Sequence, residues 1–199
     1  MRITAENISI GSGIAAALPP VSFSFADGDP VVVAVDTADR PTVLALAVTG
    51  RMRLDGGRVL VDGEEQPDAL RRATALVDAP TVAEPSEVLP TRNVLREELV
   101  LAGQPAGSPD VERLLRSVGA EAFSRKPFGS LPGALRTRLL AETAAARPDV
   151  QALVITSPER YGGDPDELAR LISQLSDRGF AALTLTSAAM SAALDRTHS

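Results

Sequence analysis

Cysteine is absent from the 199-residue chain, and tryptophan with it. No disulfide, no thiolate metal site and no cysteine nucleophile can therefore be built. Lysine occurs once, at Lys126, and histidine once, at His198, beside the C-terminus. Any mechanism that needs a lysine in the first half of the chain, or a histidine in its folded core, is excluded by that count. Aromatics make up only 3% of the residues, so valine, leucine, alanine and isoleucine must build the core. Long apolar runs are missing too: Val31 to Val35 and Val43 to Val48 are far too short to cross a bilayer. The opening MRITAENISI lacks the basic start and apolar stretch of a secretory signal, so a cytoplasmic location is the expectation. Basic residues are outnumbered, with a formal net charge of −6, which argues against a nucleic-acid surface.

What is present fits a folded domain: 44% hydrophobic and 23% charged residues. Ile3, Ala5, Ile8 and Ile10 roughly alternate with polar residues and suggest an opening strand. Val21, Phe23 and Phe25 alternate strictly with Ser22 and Ser24 and predict a half-buried strand. After the turn Asp27-Gly28-Asp29-Pro30, the β-branched run Val31 to Val35 predicts a strand covered on both faces of a parallel sheet. Val43 to Val48 reads as a short apolar helix, Arg58 to Asp62 as a strand entered through Asp55-Gly56-Gly57, and Ala73 to Val77 as another strand.

From about Ala79 to Gly129 the character changes: proline, glycine and charge cluster, and the segments between read as helices. Ser108 is the expected N-cap of one, with Pro109 at its first position and Val111, Leu114, Leu115 and Val118 as its apolar stripe. The last third returns to alternation: a helix over Leu131 to Ala146, a strand over Ala152 to Thr156, an amphipathic helix carrying Leu168, Leu171, Ile172 and Leu175 and closed by Arg178-Gly179, then a strand over Phe180 to Thr186. The tail after Ser187 is merely biased in composition. Strand and helix alternating in this way means α/β with a mainly parallel core sheet.

The order of these pieces resembles the ATP-binding domain of ABC transporters. The segment VSFSFADGDPVVVAVDTADRPTVLALAVTGRMRLDGGRVLVDG, Val21 to Gly63, runs without a gap through the family's opening: strand, Gly-Asp turn, buried strand, phosphate loop, helix ending in glycine, and a Gly-Arg-Val strand ending in Asp-Gly. The resemblance implies a P-loop NTPase-like fold with an antiparallel N-terminal β part, an α/β core over 1–78 and 131–199, and an inserted helical subdomain over 79–130.

It also points to the places where such a domain works. The family's phosphate loop is glycine-rich and ends Gly-Lys-Ser/Thr, because glycines let successive N–H groups face the phosphates while the lysine adds charge and the hydroxyl holds Mg²⁺. Here the loop falls on Val35, Asp36, Thr37, Ala38, Asp39, Arg40, Pro41 and Thr42: no glycine is left, Pro41 takes the lysine position, and only Thr42 matches. Asp36 and Asp39 add repulsion, since a carboxylate about 5 Å from a phosphate charge costs roughly 3 kcal/mol at an effective dielectric of about 20. Arg40 offsets part of it. Proline suits the first turn of a helix, so the loss of the site is compatible with survival of the helix.

The family signature Leu-Ser-Gly-Gly-Gln, which reaches the nucleotide of a partner subunit, falls on Leu131, Pro132, Gly133, Ala134 and Leu135, followed by Arg136 and Arg138. The Asp-Glu pair that orders Mg²⁺ and polarises water falls on Thr156 and Ser157, ahead of Pro158. Glu159 comes too late for that role and is expected in solvent. The switch histidine is matched by Ser187; the linker glutamine, expected near Asp78-Ala79, and the adenine-stacking aromatic, expected near Ile10 to Ser12, are missing. Gly162-Gly163-Asp164-Pro165 resembles the loop that contacts the opposite subunit, though Asp164 reads equally well as a helix cap.

The expectation is a non-catalytic ABC-type subunit with no catalytic residue, no cofactor and no metal, acting through contact with a membrane subunit or a second ATPase-like subunit, and reaching the inner face of the membrane only through that partner. The helical region 79–129 is the expected docking surface. A homodimer stays open. Two rivals stand beside this: a weak ATP and Mg²⁺ binder or slow ATPase using Thr42 and Arg40, and a soluble scaffold unconnected to transport.

Overall fold

Two sheets share the work of the fold. In the computed structural model, which describes residues 1–35 and 40–197, strands β1 (Arg2–Ile10), β2 (Leu18–Ala26) and β4 (Gly56–Val61) form an antiparallel sheet in the order β2-β1-β4. Strands β3 (Val31–Ala34), β5 (Thr74–Val77), β6 (Ala152–Thr156) and β7 (Ala181–Thr186) form a parallel sheet in the order β3-β7-β6-β5. The helices are α1 (Arg40–Val48), α2 (Pro67–Ala73), α3 (Thr91–Leu101), α4 (Ser108–Ser117), α5 (Gly133–Ala145), α6 (Pro165–Asp177) and α7 (Ala188–Thr197).

The fold is α/β with a parallel sheet and an antiparallel β part, as the alternation predicts. The strand faces explain the layers, because successive side chains point to opposite sides. On β6, Ala152 and Val154 face α1 and the antiparallel sheet, while Leu153 and Ile155 face a second core built with α3, α4, α5 and α6. The helical stretch between β5 and α5 has no core of its own: Val94, Leu95 and Leu99 of α3 share one with Ala75, Val77, Leu153 and Ile155 of the sheet. A third cluster holds α6 and α7 against Ala182 and Val32.

Several sequence expectations need correction. Val31 to Val35 is indeed packed on both faces, but β3 lies at the edge of its sheet and its valines are only half-buried. The N-cap of α4 is Gly107, not Ser108; Gly107 donates its N–H to Asp110 Oδ2 at 3.0 Å. The segment Pro67–Ala73 is a helix, and the tail beyond Ser187 forms α7. α2 carries few apolar residues, with Leu70 as its one buried residue.

Gly57 shows why β4 begins where it does. Its φ is +74°, and a Cβ there would lie 2.3 Å from the carbonyl oxygens of Glu6 and Asn7, at the irregularity where the β1–β4 register shifts. No side chain fits so close an approach.

Candidate functional site

In a parallel sheet covered by helices, the carboxyl ends of the strands share one edge, and ligands favour that edge. Three of the sequence-predicted positions meet there. Val35 donates its N–H to the Thr186 carbonyl at 2.7 Å, Ser157 donates to the Leu185 carbonyl at 2.7 Å, and Thr156 is paired with Leu185 across the β6–β7 ladder. Ser187 follows directly. Arg40, Pro41 and Thr42 form the first turn of α1, which packs on β6 and β7, and Pro41 and Thr42 are buried. Pro41 thus stands where a helix needs no N–H. The expectations placed on Asp36, Thr37, Ala38, Asp39 and His198 lie outside the described residues.

Thr156 is fully buried, and among the described residues its hydroxyl has no hydrogen-bond partner. By alternation it lies on the α1-facing side of β6. Ser157 then turns the chain with φ +47°, a left-handed conformation unusual for serine, into the short helical turn Pro158–Tyr161. That turn decides the fate of Glu159, which is not free in solvent. Its Oε2 accepts from Thr186 Oγ1 at 2.7 Å and its Oε1 from the Ser187 N–H at 2.8 Å. The carboxylate is therefore spent on closing the end of β7.

Mg²⁺ is held through carboxylates and water, whereas Thr156 and Ser157 offer neutral hydroxyls and Glu159 is engaged at both oxygens. Among the described residues, no group of three or more His, Asp or Glu side chains is placed to hold a metal.

The segment Leu131 to Leu135 packs against the turn after β6. Leu131 is buried, Pro132 is the N-cap of α5, and Ala134 lines a small recess with Pro158 and Gly163. Gly133 has a packing reason of its own: a Cβ there would lie 2.5 Å from the Tyr161 carbonyl oxygen. Asp164 is a helix cap, its Oδ1 accepting from the N–H groups of Asp166 and Glu167 at 2.8 and 3.4 Å.

The most developed polar group of the molecule lies beside this turn, and sequence reasoning did not assemble it. Asp78 leaves the end of β5 with φ +55° and is 3% exposed. Arg136 of α5, 1% exposed, donates to it twice, Nε to Oδ2 at 2.7 Å and Nη2 to Oδ1 at 2.8 Å. The guanidinium lies over the Tyr161 ring at 3.8 Å and the Phe128 ring at 4.8 Å. Arg160 donates to the Asp78 carbonyl at 3.2 Å and pairs with Glu84 at 3.2 Å. Tyr161 donates its hydroxyl to Glu84. Burial, reinforced by the bond to Glu84, pushes the Tyr161 hydroxyl up. Burial also works to raise Glu84, but bonds from Tyr161 and the Thr81 N–H, with the charge of Arg160, bring it below the usual carboxylate range. Three chain segments are fastened at this point: the exit of β5, the start of α5 and the turn after β6.

Next to Asp78 opens a cleft of about 330 Å³ between the sheet domain and the helical stretch. Val82 and Leu101 stand on its rim at 50% and 74% exposure, and Arg51, Glu98 and Arg147 give it charge. Arg51 is fixed, donating to the Thr49, Arg71 and Thr74 carbonyls and to Thr74 Oγ1 at 2.7–3.1 Å. Burial raises the Glu98 carboxyl above its ordinary value, and the neighbouring charges of Glu97 and Asp78 add to the rise. Among the described residues no helix is long and apolar enough to cross a membrane.

The chain has the fold of an ATP-binding cassette. A nucleotide-free ATP-binding cassette from an ABC transporter superposes with a TM-score of 0.68 at 18% identity, covering 94% of this chain and 82% of that one. An ATP-binding subunit of an ABC transporter gives 0.64 at 20%, covering 96% and 82%. CbiO1 from Clostridium perfringens, part of the ABC transporter complex CbiONQ, gives 0.64 at 14%, covering 93% and 77%. At these identities the likeness is one of fold. No protein-family model matches the chain, and no curated protein sequence does.

Proposed function

We propose that this chain is a cassette-like subunit that works by protein contact and not by ATP hydrolysis. The observation that carries the reading is the edge formed by Pro41, Thr156, Ser157 and Ser187. A proline stands at the phosphate-facing lysine position, hydroxyls stand where carboxylates would hold metal and polarise water, and Glu159 is bound to Thr186 and Ser187. The residues that would do chemistry are replaced, while those that fold the strand ends together are well bonded.

Its partner in this reading is an ABC-type membrane subunit, which would bring the chain to the inner face of the membrane. The cleft rimmed by Val82 and Leu101 is the docking place: exposed apolar side chains beside fixed charges favour a protein surface over water. A second cassette-like chain is the other partner of this kind. Thr42 at the start of α1 favours a second reading, in which nucleotide is still bound weakly.

The two readings separate in a thermal melt with and without millimolar Mg-ATP. A ligand that binds only the folded state raises stability by about 2.7 kcal/mol at one hundred times its Kd. The parent and Thr42→Val are expected to respond alike. A rise in melting temperature that disappears in Thr42→Val would sink the non-catalytic reading. For docking, Val82→Asp with Leu101→Asp should abolish co-purification with a membrane subunit while the melt stays unchanged. Undiminished co-purification would remove the cleft as the docking place.

A further inference from the structure

A second charged cleft, of about 350 Å³, lies between α3 and α4. Arg92, Arg96, Arg116 and Arg125 line it. All four are exposed, and none of the four side chains has an ion pair or hydrogen bond among the described residues. Elsewhere some arginines are ion-paired, Arg58 with Glu6, Arg71 with Asp68 and Arg178 with Glu142. Glu112 and Glu121 share the lining, yet neither stands within ion-pairing distance of an arginine. Four guanidiniums beside two carboxylates leave this hollow net positive in a chain with net charge −6, a local reversal of its field. A concave wall concentrates that field instead of letting water disperse it.

The hollow is also built in advance. Arg92 and Arg96 lie one turn apart on the same face of α3. The segment that carries Arg125 is bonded to the start of that helix, Thr91 N–H to the Lys126 carbonyl at 2.9 Å and Arg92 N–H to the Ser124 carbonyl at 3.0 Å. Val111 and Leu115 of α4, both buried, form the floor that holds Arg116 opposite. Guanidinium forks match the paired oxygens of phosphates and carboxylates, and they shed water more readily than ammonium does.

We propose that the arginine-lined cleft between α3 and α4 is a binding site for a small polyvalent oxyanion, a diphosphate or polycarboxylate group carried on a small molecule. The volume lies at the small end of ligand pockets, which favours a compact anion over a peptide segment. The site is independent of the cassette-like role proposed above.

Isothermal titration of the full chain with inorganic pyrophosphate, at fixed ionic strength and without Mg²⁺, tests it. One pyrophosphate per chain is expected, weakened about tenfold or more in Arg92→Gln with Arg96→Gln. Arg72→Gln with Arg170→Gln removes the same charge elsewhere and should leave binding unchanged. Absence of binding to the parent, or equal weakening in the two pairs, overturns the proposal. Preference for hexaglutamate over pyrophosphate overturns the small-molecule assignment. A melting shift by ATP through this cleft would persist in Thr42→Val and vanish in Arg92→Gln with Arg96→Gln, so the two readings fail separately.

Discussion

Asp78 and Arg136, 58 positions apart in the chain, meet as a doubly bonded ion pair from which solvent is almost wholly excluded. Such a pair is expensive to bury and more expensive to break, because the surviving charge keeps its desolvation cost without its partner. The second guanidinium amino group, Nη1, lacks a partner among the described residues, so Arg136 depends on Asp78 and on the two aromatic faces.

Asp78→Asn keeps the left-handed turn, which asparagine tolerates, but removes the charge. It should lower stability by about 3–5 kcal/mol in urea unfolding, and Arg136→Gln by a similar amount. The double variant should lose clearly less than the sum of the two. Additive losses would mean that the pair is not coupled.

Gly133→Ala tests the close packing of α5 against the turn after β6. The added methyl group would meet the Tyr161 carbonyl oxygen, a backbone atom that cannot move without disturbing the stacked guanidinium. Overpacking of this kind costs about 1–3 kcal/mol. The melting temperature should fall even though alanine is the better helix former, and an unchanged or higher value would contradict the geometry.

Glu98 gives the stability a pH dependence. Its carboxyl is raised above the ordinary 4.5 in the folded chain, first by burial and then by Glu97 and Asp78. Between the unfolded and folded values the native state binds the extra proton, so this group withdraws stability as pH rises through that window. Glu98→Gln should therefore melt higher than the parent at neutral pH. The difference should close as pH falls below 4.5, where Glu98 is protonated in both states. A constant difference across that range would assign the effect to something other than the proton.

Glu159→Gln tests the closure of β7. Its amide can accept only through one oxygen, so one of the two bonds, to Thr186 or to the Ser187 N–H, is lost. The loss of a bond to a charged group is about 1.5–3 kcal/mol. Faster hydrogen exchange at the Ser187 amide is the direct readout, and unchanged protection there would deny the contact.

Much of the fold was legible because apolar periodicity and burial coincide. Ala152 to Thr156 is a strand at the predicted bounds, and Leu168, Leu171, Ile172 and Leu175 are the buried face of α6. Pro67–Ala73 was not, because a helix of two turns needs only one buried side chain, Leu70, and leaves no stripe to read. The candidate site was legible as a set of positions but not as contacts. Arg136 sits with Leu139, Leu140 and Thr143 at i, i+3, i+4 and i+7, all buried. That spacing was the available signal of a charge on a buried helix face. Its partner Asp78 gave none, since pairing across 58 residues is fixed by tertiary packing. Glu159 was misplaced for a similar reason: the left-handed turn at Ser157 redirects the chain, and nothing in a serine before proline announces it.

The strand order β3-β7-β6-β5 has a consequence for the birth of the molecule. β3 is the first strand of the parallel sheet to be synthesised, yet among the described residues its one neighbour in that sheet is the last, with Val31 beside Leu183 and Ala34 beside Thr186. Until Thr186 has left the ribosome, β3 has no edge to join, although the antiparallel sheet of β2, β1 and β4 can already close. A nascent chain of this protein therefore carries an unmated valine-rich strand through most of its synthesis, the kind of segment that chaperones shield.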